Sequence, residues 1–141
     1  MVANMKSHAS LFAGMCALIC ASLFTSCTSV CPAGKASAGQ VEHVVLVWLK
    51  DAGNEAKRSE LITAAKGFKK QIPGIISISA GTALPSDRPV VDDSFDIGFV
   101  MRFESKEALA AYEKHPVHVK AVKEALAPAS KKLQVYDVVV R

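Results

Sequence analysis

Ser94-Phe95-Asp96-Ile97-Gly98-Phe99-Val100-Met101-Arg102-Phe103 is the stretch on which the reading of the fold turns. Phe95, Ile97, Phe99, Met101 and Phe103 recur at every second position, with Asp96, Gly98, Val100 and Arg102 between them. A period of two places the five apolar side chains on one face of a strand and sets that face against a core. Upstream, Val41-Glu42-His43-Val44-Val45-Leu46-Val47-Trp48-Leu49 is β-branched and apolar at both alternations, the pattern of a strand covered on both sides.

Helical signals separate these runs. Asp51-Ala52-Gly53-Asn54 is turn chemistry, and Asn54 can cap a helix that starts at Glu55. Leu61, Ala64, Ala65, Phe68 and Ile72 follow at helical spacing, while Lys57, Arg58, Lys66, Lys69 and Lys70 fall on the solvated side. Pro73-Gly74 predicts the stop, residues 75–81 a short strand, and residues 82–93 a polar loop with two prolines. Ser105 caps a second helix that runs to Lys114. His115 then caps a third, with Pro116 at its first position and Val119, Val122 and Leu126 as its buried stripe. Pro128 predicts its end, and residues 133–140 form the last strand.

The order is β-α-β-β-α-β, an α+β chain of ferredoxin-like type: a four-stranded antiparallel sheet with its helices on one face. The other face keeps much apolar surface, most of all in the first and last strands. A monomer rarely leaves so large a patch open, so the expectation is a homodimer, a dimeric α/β barrel whose sheets close around an interior space.

Composition removes several function classes. The chain has 141 residues, 50% of them hydrophobic and 21% charged, which excludes a disordered or fibrous protein. A net charge of +4, dispersed along the chain, and 6% aromatic residues give no footprint for nucleic acid. All four cysteines (Cys16, Cys20, Cys27, Cys31) precede residue 32, so neither a disulfide scaffold nor a zinc site is expected in the folded part.

The first residues read as an address. An apolar run at residues 11–24 follows the single charge of Lys6 and is shorter than the roughly 20 residues a bilayer-spanning helix needs. Leu23-Phe24-Thr25-Ser26-Cys27 resembles a bacterial lipobox, with Phe24 in a position where Leu is usual. The division expected is a lipoprotein signal peptide over 1–26, lipidation at Cys27, a flexible Ser/Ala/Gly/Pro tether over 27–39 and a folded domain over 40–141. An uncut N-terminal anchor and ordinary cleavage after Ala36-Ser37-Ala38 are the weaker alternatives. The expected location is therefore the cell envelope, reached by export and held by lipid.

After the signal segment three histidines remain: His43, His115 and His118. Together with His43-Val44-Val45-Leu46 and Lys50, Ile72-Pro73-Gly74-Ile75, Phe103-Glu104-Ser105 with Leu109, Tyr112/His115-Pro116-Val117-His118-Val119 and Val135-Tyr136-Asp137, they carry a resemblance. From residue 41 to 140 the sequence resembles the stress-responsive α/β-barrel (Dabb) family. The resemblance implies a dimeric α/β barrel with a cavity between sheet and helices, most members having no assigned reaction. A polyketide-cyclising plant member is similar around the histidine motif, and its catalytic tyrosine and histidine would correspond to Tyr112 and His118. That member's third-strand pocket histidine is matched here only by Asp96 or Ile97.

The residues support that assignment by their own chemistry. His118 falls in the first turn of the helix begun by Pro116, where the dipole disfavours a cation and favours the neutral imidazole a general base needs. Tyr112 offers a phenol that can polarise a carbonyl oxygen. The candidate catalytic set is His118 and Tyr112 with help from His43, and the candidate ligand-binding set is His43, Val45, Trp48 and His115. The plainer alternative makes His115 a helix cap, Trp48 core, and Tyr112 and His118 partners in organising the helix break. No carboxylate stands at a persuasive spacing from the three histidines, so no metal and no cofactor is expected. The function expected is retention of a small apolar molecule in a dimer cavity. The alternative is a polyketide-cyclase-like lyase or cofactor-free monooxygenase using His118 and Tyr112.

Overall fold

The computed structural model describes residues 36–141. The signal peptide, Cys27 and the tether up to residue 35 lie outside the described residues. Ser37 to Gln40 make a turn, with Gly39 at φ +88° and the Gln40 amide on the Ser37 carbonyl. Gly39 and Val140 then tie this turn to the chain end through the Gly39 amide on the Val140 carbonyl and the Val140 amide on the Gln40 carbonyl.

Strand β1 (Val41–Leu49) is the most heavily built element, and its alternate residues Val41, His43, Val45, Val47 and Leu49 are buried. It is flanked on both sides. β3 (Ile97–Phe103) pairs antiparallel with it from Val41 opposite Phe103 to Val47 opposite Ile97. β4 (Ser130–Val139) pairs on its other side, with His43 opposite Asp137 and Val45 opposite Val135. β2 (Ile75–Gly81) adds to β3, giving the order β2-β3-β1-β4, all antiparallel. That is the expected ferredoxin-like α+β sheet.

Helix α1 (Glu55–Gly67) starts where the Asn54 side chain accepts the Lys57 amide at 2.9 Å, and it buries Leu61 and Ala65. It passes into a 3₁₀ turn (Phe68–Lys70) that buries Phe68 before the break at Gly74. Helix α2 (Lys106–Lys114) is capped by Ser105 and buries Leu109 and Tyr112. His115 closes α2 and caps α3 (Pro116–Ala121) by accepting the Val117 amide at Nδ1.

Three expectations need correction. The strand expected over residues 94–103 begins only at Ile97, because Asp96 turns inward instead of alternating outward. Its carboxylate accepts the Leu49 and Gly53 amides, each at 2.8 Å, and Arg58 Nη2 at 2.7 Å. A buried carboxylate needs such donors, and the turn before α1 supplies them. Phe95 is consequently displaced to the opposite face, where it meets Trp48 edge-on at 6.3 Å and lies over Gly98.

The third helix does not stop before Pro128. A π-helical turn (Val122–Leu126) follows α3, and a last helical turn α4 (Ala127–Ala129) carries the chain through the proline into β4 at Ser130. The wider turn ahead of Pro128 relieves the clash its ring would make with a regular helix. Of the stripe expected at Val119, Val122 and Leu126, only Val119 turns outward, while Val122 and Leu126 keep to the inner side. Val119 is 46% exposed, while Val117, Ala121, Ala125 and Leu126 pack toward the core, following the i, i+4 phase set by the His115 cap.

The helices cover one face of the sheet. On the other, Val44, Leu46, Trp48, Val100, Tyr136 and Val138 carry an apolar surface that no element of this chain covers among the described residues.

Candidate ligand site

Between the sheet and the helices lies a cavity of about 380 Å³, inside one protomer. It lies where the family resemblance implies a cavity, between the sheet and the helices of a single chain. Val45, Phe99 and Met101 form its floor, Leu61, Ala65 and Phe68 one wall, and Ala121, Val122, Ala125 and Leu126 the other. Leu133 and Val135 line it at the edge strand β4, where both side chains remain partly open to solvent. The π-helical turn places Val122, Ala125 and Leu126 together on that wall, as irregular helical turns often do at binding sites.

The polar groups converge from three elements. His43 lines the cavity from the central strand β1, where alternation puts it on the helix side with Val41 and Val45. Its register partner Asp137 on β4 comes within 2.6 Å, carboxylate Oδ1 to Nδ1. A carboxylate only accepts, so Nδ1 carries the proton, and Nε2 is the nitrogen turned away from Asp137.

His118 comes from the first turn of α3. Its Nδ1 lies 3.2 Å from the Glu113 carbonyl oxygen, which also only accepts, so again the proton is on Nδ1 and Nε2 is the free acceptor. Burial lowers the His118 pKa from its ordinary 6.5, and the Glu113 carbonyl and the nearby His43 adjust it further; the net shift is downward. This imidazole is therefore neutral at pH 7.

Tyr112 stands between the two. Its ring lies 4.1 Å from that of His118, 4.9 Å from Phe103 and 6.0 Å from His43, centroid to centroid. Burial pushes the Tyr112 phenol well above its ordinary 10.0, with Glu113 adding to the effect, so it is a hydrogen-bond donor and not a phenolate.

His43, Val45, Tyr112 and His118, singled out from the sequence, thus line one cavity. Trp48 and His115 do not. Trp48 sits on the opposite face of the sheet, donating to Ser94 Oγ at 2.9 Å beneath the ammonium of Lys132. His115 spends its Nδ1 on the helix cap. The sequence did not single out Phe68, Met101, Leu126 or Leu133 as lining. Phe68 and Met101 were legible as core positions, but periodicity does not distinguish a side chain facing a void from one facing a neighbour. Among the described residues no group of three His, Cys, Asp or Glu side chains comes together as a metal site.

Sheet order, helix placement and an apolar chamber inside the protomer define a ferredoxin-like α+β protein. The pattern of the stress responsive A/B barrel domain matches residues 41–140, and the chain belongs to that family, Dabb. It is 31% identical over 97 residues to a stress-response A/B barrel domain-containing protein of Arabidopsis thaliana, covering 69% of this chain and 35% of that one. It thus spans about a third of that relative's length. Among solved structures it is similar to a dimeric ferredoxin-like protein of unknown function from a Jannaschia species, at 25% identity and TM-score 0.60, covering 72% of this chain and 100% of that chain. It shares the fold of a hydroxynitrile lyase from Passiflora edulis, at 19% identity and TM-score 0.66, covering 74% and 96%.

Proposed function

We propose that the protein is an exported, lipid-anchored, homodimeric member of its family that holds a small, mostly apolar molecule in the cavity of each protomer. The cavity itself carries this reading. About 380 Å³ of space lined almost wholly by apolar side chains, with a few converging polar groups, is the form small-molecule sites take. No cofactor is invoked. The dimer is supported by the bare apolar face of the sheet and by the dimeric relative from Jannaschia. Export and lipidation are supported by the apolar run at residues 11–24 and the lipobox-like Leu23-Phe24-Thr25-Ser26-Cys27 at its end.

The test of binding is thermal stabilisation of the protein by a panel of small hydrophobic compounds. Saturable stabilisation, lost when Ala65→Phe fills the chamber, is the expected result; no stabilisation by any compound would remove the reading. Incorporation of labelled palmitate, lost in Cys27→Ala, tests the anchor separately.

A second reading, turnover, is favoured by one observation: a neutral His118 stacked on a protonated Tyr112, both facing the same chamber. Such a pair supplies a base and a donor to a carbonyl compound, as a cyclase-like lyase or cofactor-free monooxygenase requires. Turnover of a polyketide-like or quinol compound, abolished in His118→Ala and Tyr112→Phe with the fold intact, would establish it. Stabilisation without turnover, unchanged in His118→Ala, would leave binding alone.

A further inference from the structure

The polar groups of the cavity restrict its occupant further than size and apolarity do. The two histidine rings are each anchored through Nδ1, one by Asp137 and one by the Glu113 carbonyl. In the neutral rings that leaves Nε2 as the acceptor on both. Neither Nε2 nor the Tyr112 hydroxyl is sealed away from space: among the described residues, Arg58 Nε is the one buried side-chain polar atom left without a partner. Among the described residues that line the cavity there is no Lys or Arg. With Glu113 as the one acidic residue of the lining, the chamber presents two imidazole acceptors, a phenol that donates and no fixed cation.

From this complementarity we infer that the cavity selects a neutral hydroxylic molecule, an alcohol or phenol with an apolar body, over the corresponding ether, hydrocarbon or carboxylate. The inference rests on the binding function proposed above. A hydroxyl matches the set because it donates to an imidazole Nε2 while its oxygen accepts from the Tyr112 phenol. An ether satisfies Tyr112 but leaves both imidazoles without a donor. A hydrocarbon leaves all three unpaired. A carboxylate adds a buried negative charge facing two lone pairs, with no cation to offset it. A site whose buried groups are left unpaired by the wrong ligand discriminates more strongly than one that reads shape alone.

The experiment compares 4-butylphenol, 4-butylanisole, butylbenzene and 4-butylbenzoate on the purified full-length protein at pH 7.5, with affinities from calorimetry. The expected result is 4-butylphenol bound about tenfold or more tightly than 4-butylanisole, the effect of one well-made hydrogen bond to a buried acceptor. The weakest binding is expected for the benzoate. In the double variant His43→Phe with His118→Phe the phenol-to-anisole ratio falls to about one. Because that variant changes the packing, imidazole ¹⁵N spectra of the unmodified protein give an independent readout: the Nε2 resonances of His43 or His118 shift with 4-butylphenol and stay in place with 4-butylanisole. Equal affinity for phenol, anisole and butylbenzene would overturn the selection for hydroxyl while leaving the apolar binding site standing. Preferred binding of the benzoate would overturn it too. No binding by any of the four would overturn this inference and the binding function together.

Discussion

His118 lies with its imidazole against the phenol ring of Tyr112, the centroids 4.1 Å apart and the planes tilted by 36°. Tyr112 is on the last full turn of α2 and His118 on the first turn of α3, so the helix break at His115-Pro116 creates this contact. It places a phenol that keeps its proton beside a neutral imidazole whose free nitrogen accepts, and both have charged forms that burial disfavours.

The burial of His118 gives a pH dependence of stability. Burial holds the folded-state pKa of His118 below its unfolded value of about 6.5, so the unfolded chain binds the proton more readily. Stability from this group is full above pH 6.5 and is lost as pH falls from there through the folded value. His43 and His115 oppose the proton on His118, and Glu113 favours it. Urea midpoints measured between pH 8 and 5 should fall with pH in the native protein, and His118→Gln should flatten the slope in that window.

Tyr112 separates the two uses of an aromatic residue. It is 2% exposed and its ring packs on Phe103, Phe68, His43 and His118. Tyr112→Ala should cost about 3–5 kcal/mol in chemical denaturation. Tyr112→Phe keeps the ring, so stability should change by less than about 1.5 kcal/mol while affinity for a ligand oxygen drops.

Asp96 anchors the start of α1 to the end of β1. Its carboxylate gathers two amides and the Arg58 guanidinium in a site 5% exposed to solvent. Burial pushes its pKa up, but the Gly53 and Leu49 amides and Arg58 together outweigh that and hold it below the ordinary 3.8. Asp96→Ala would leave Arg58 with Glu55 alone and two amides unpaired, with a loss of about 2–4 kcal/mol. The carboxylate's contribution is full above pH 3.8 and fades as pH falls through the lower folded value, so acid unfolding curves of wild type and Asp96→Asn should converge there.

Gly74 is required twice over. Its φ is +82°, and a Cβ there would sit 2.7 Å from the Cβ of Ala108 on α2. Gly74→Ala should lower stability by about 1–2 kcal/mol for the left-handed backbone alone, with more from displacement of α2. Gly53, also at positive φ but with open space around it, should lose only the backbone part when changed to Ala. The difference between the two variants measures the contact.

Val138 addresses assembly. It is 54% exposed in the single chain, on the face of the sheet away from the cavity, beside Val44 and Tyr136. Val138→Glu should leave the protomer folded within about 0.5 kcal/mol yet convert the proposed dimer to monomer in sedimentation velocity at micromolar concentration. A native protein that sediments as a monomer would remove the dimer without touching the cavity.

Much of this was legible in the residues. Asn54, Ser105 and His115 mark the helix starts where they occur, since a cap is a local hydrogen bond that needs only its own turn. The alternation in β1 and β3 assigns His43, Val45, Phe99 and Met101 to the helix side, because a strand has only two faces. Asp96 escaped that logic: its position follows from amides contributed by the end of β1 and the turn beyond it. Pro128 escaped as well, because a π-helical turn has no simple periodic signature.

What the sequence determined by itself, then, was the order of elements, their caps, and which side chains each turns toward the sheet's covered face, since all of these follow from interactions between near neighbours. The tertiary structure alone decided that β1 and β4 pair with His43 opposite Asp137, and that a void remains between sheet and helices. Those depend on strand register and on how closely three separate elements can approach, and both are set only when side chains far apart in the chain compete for the same space.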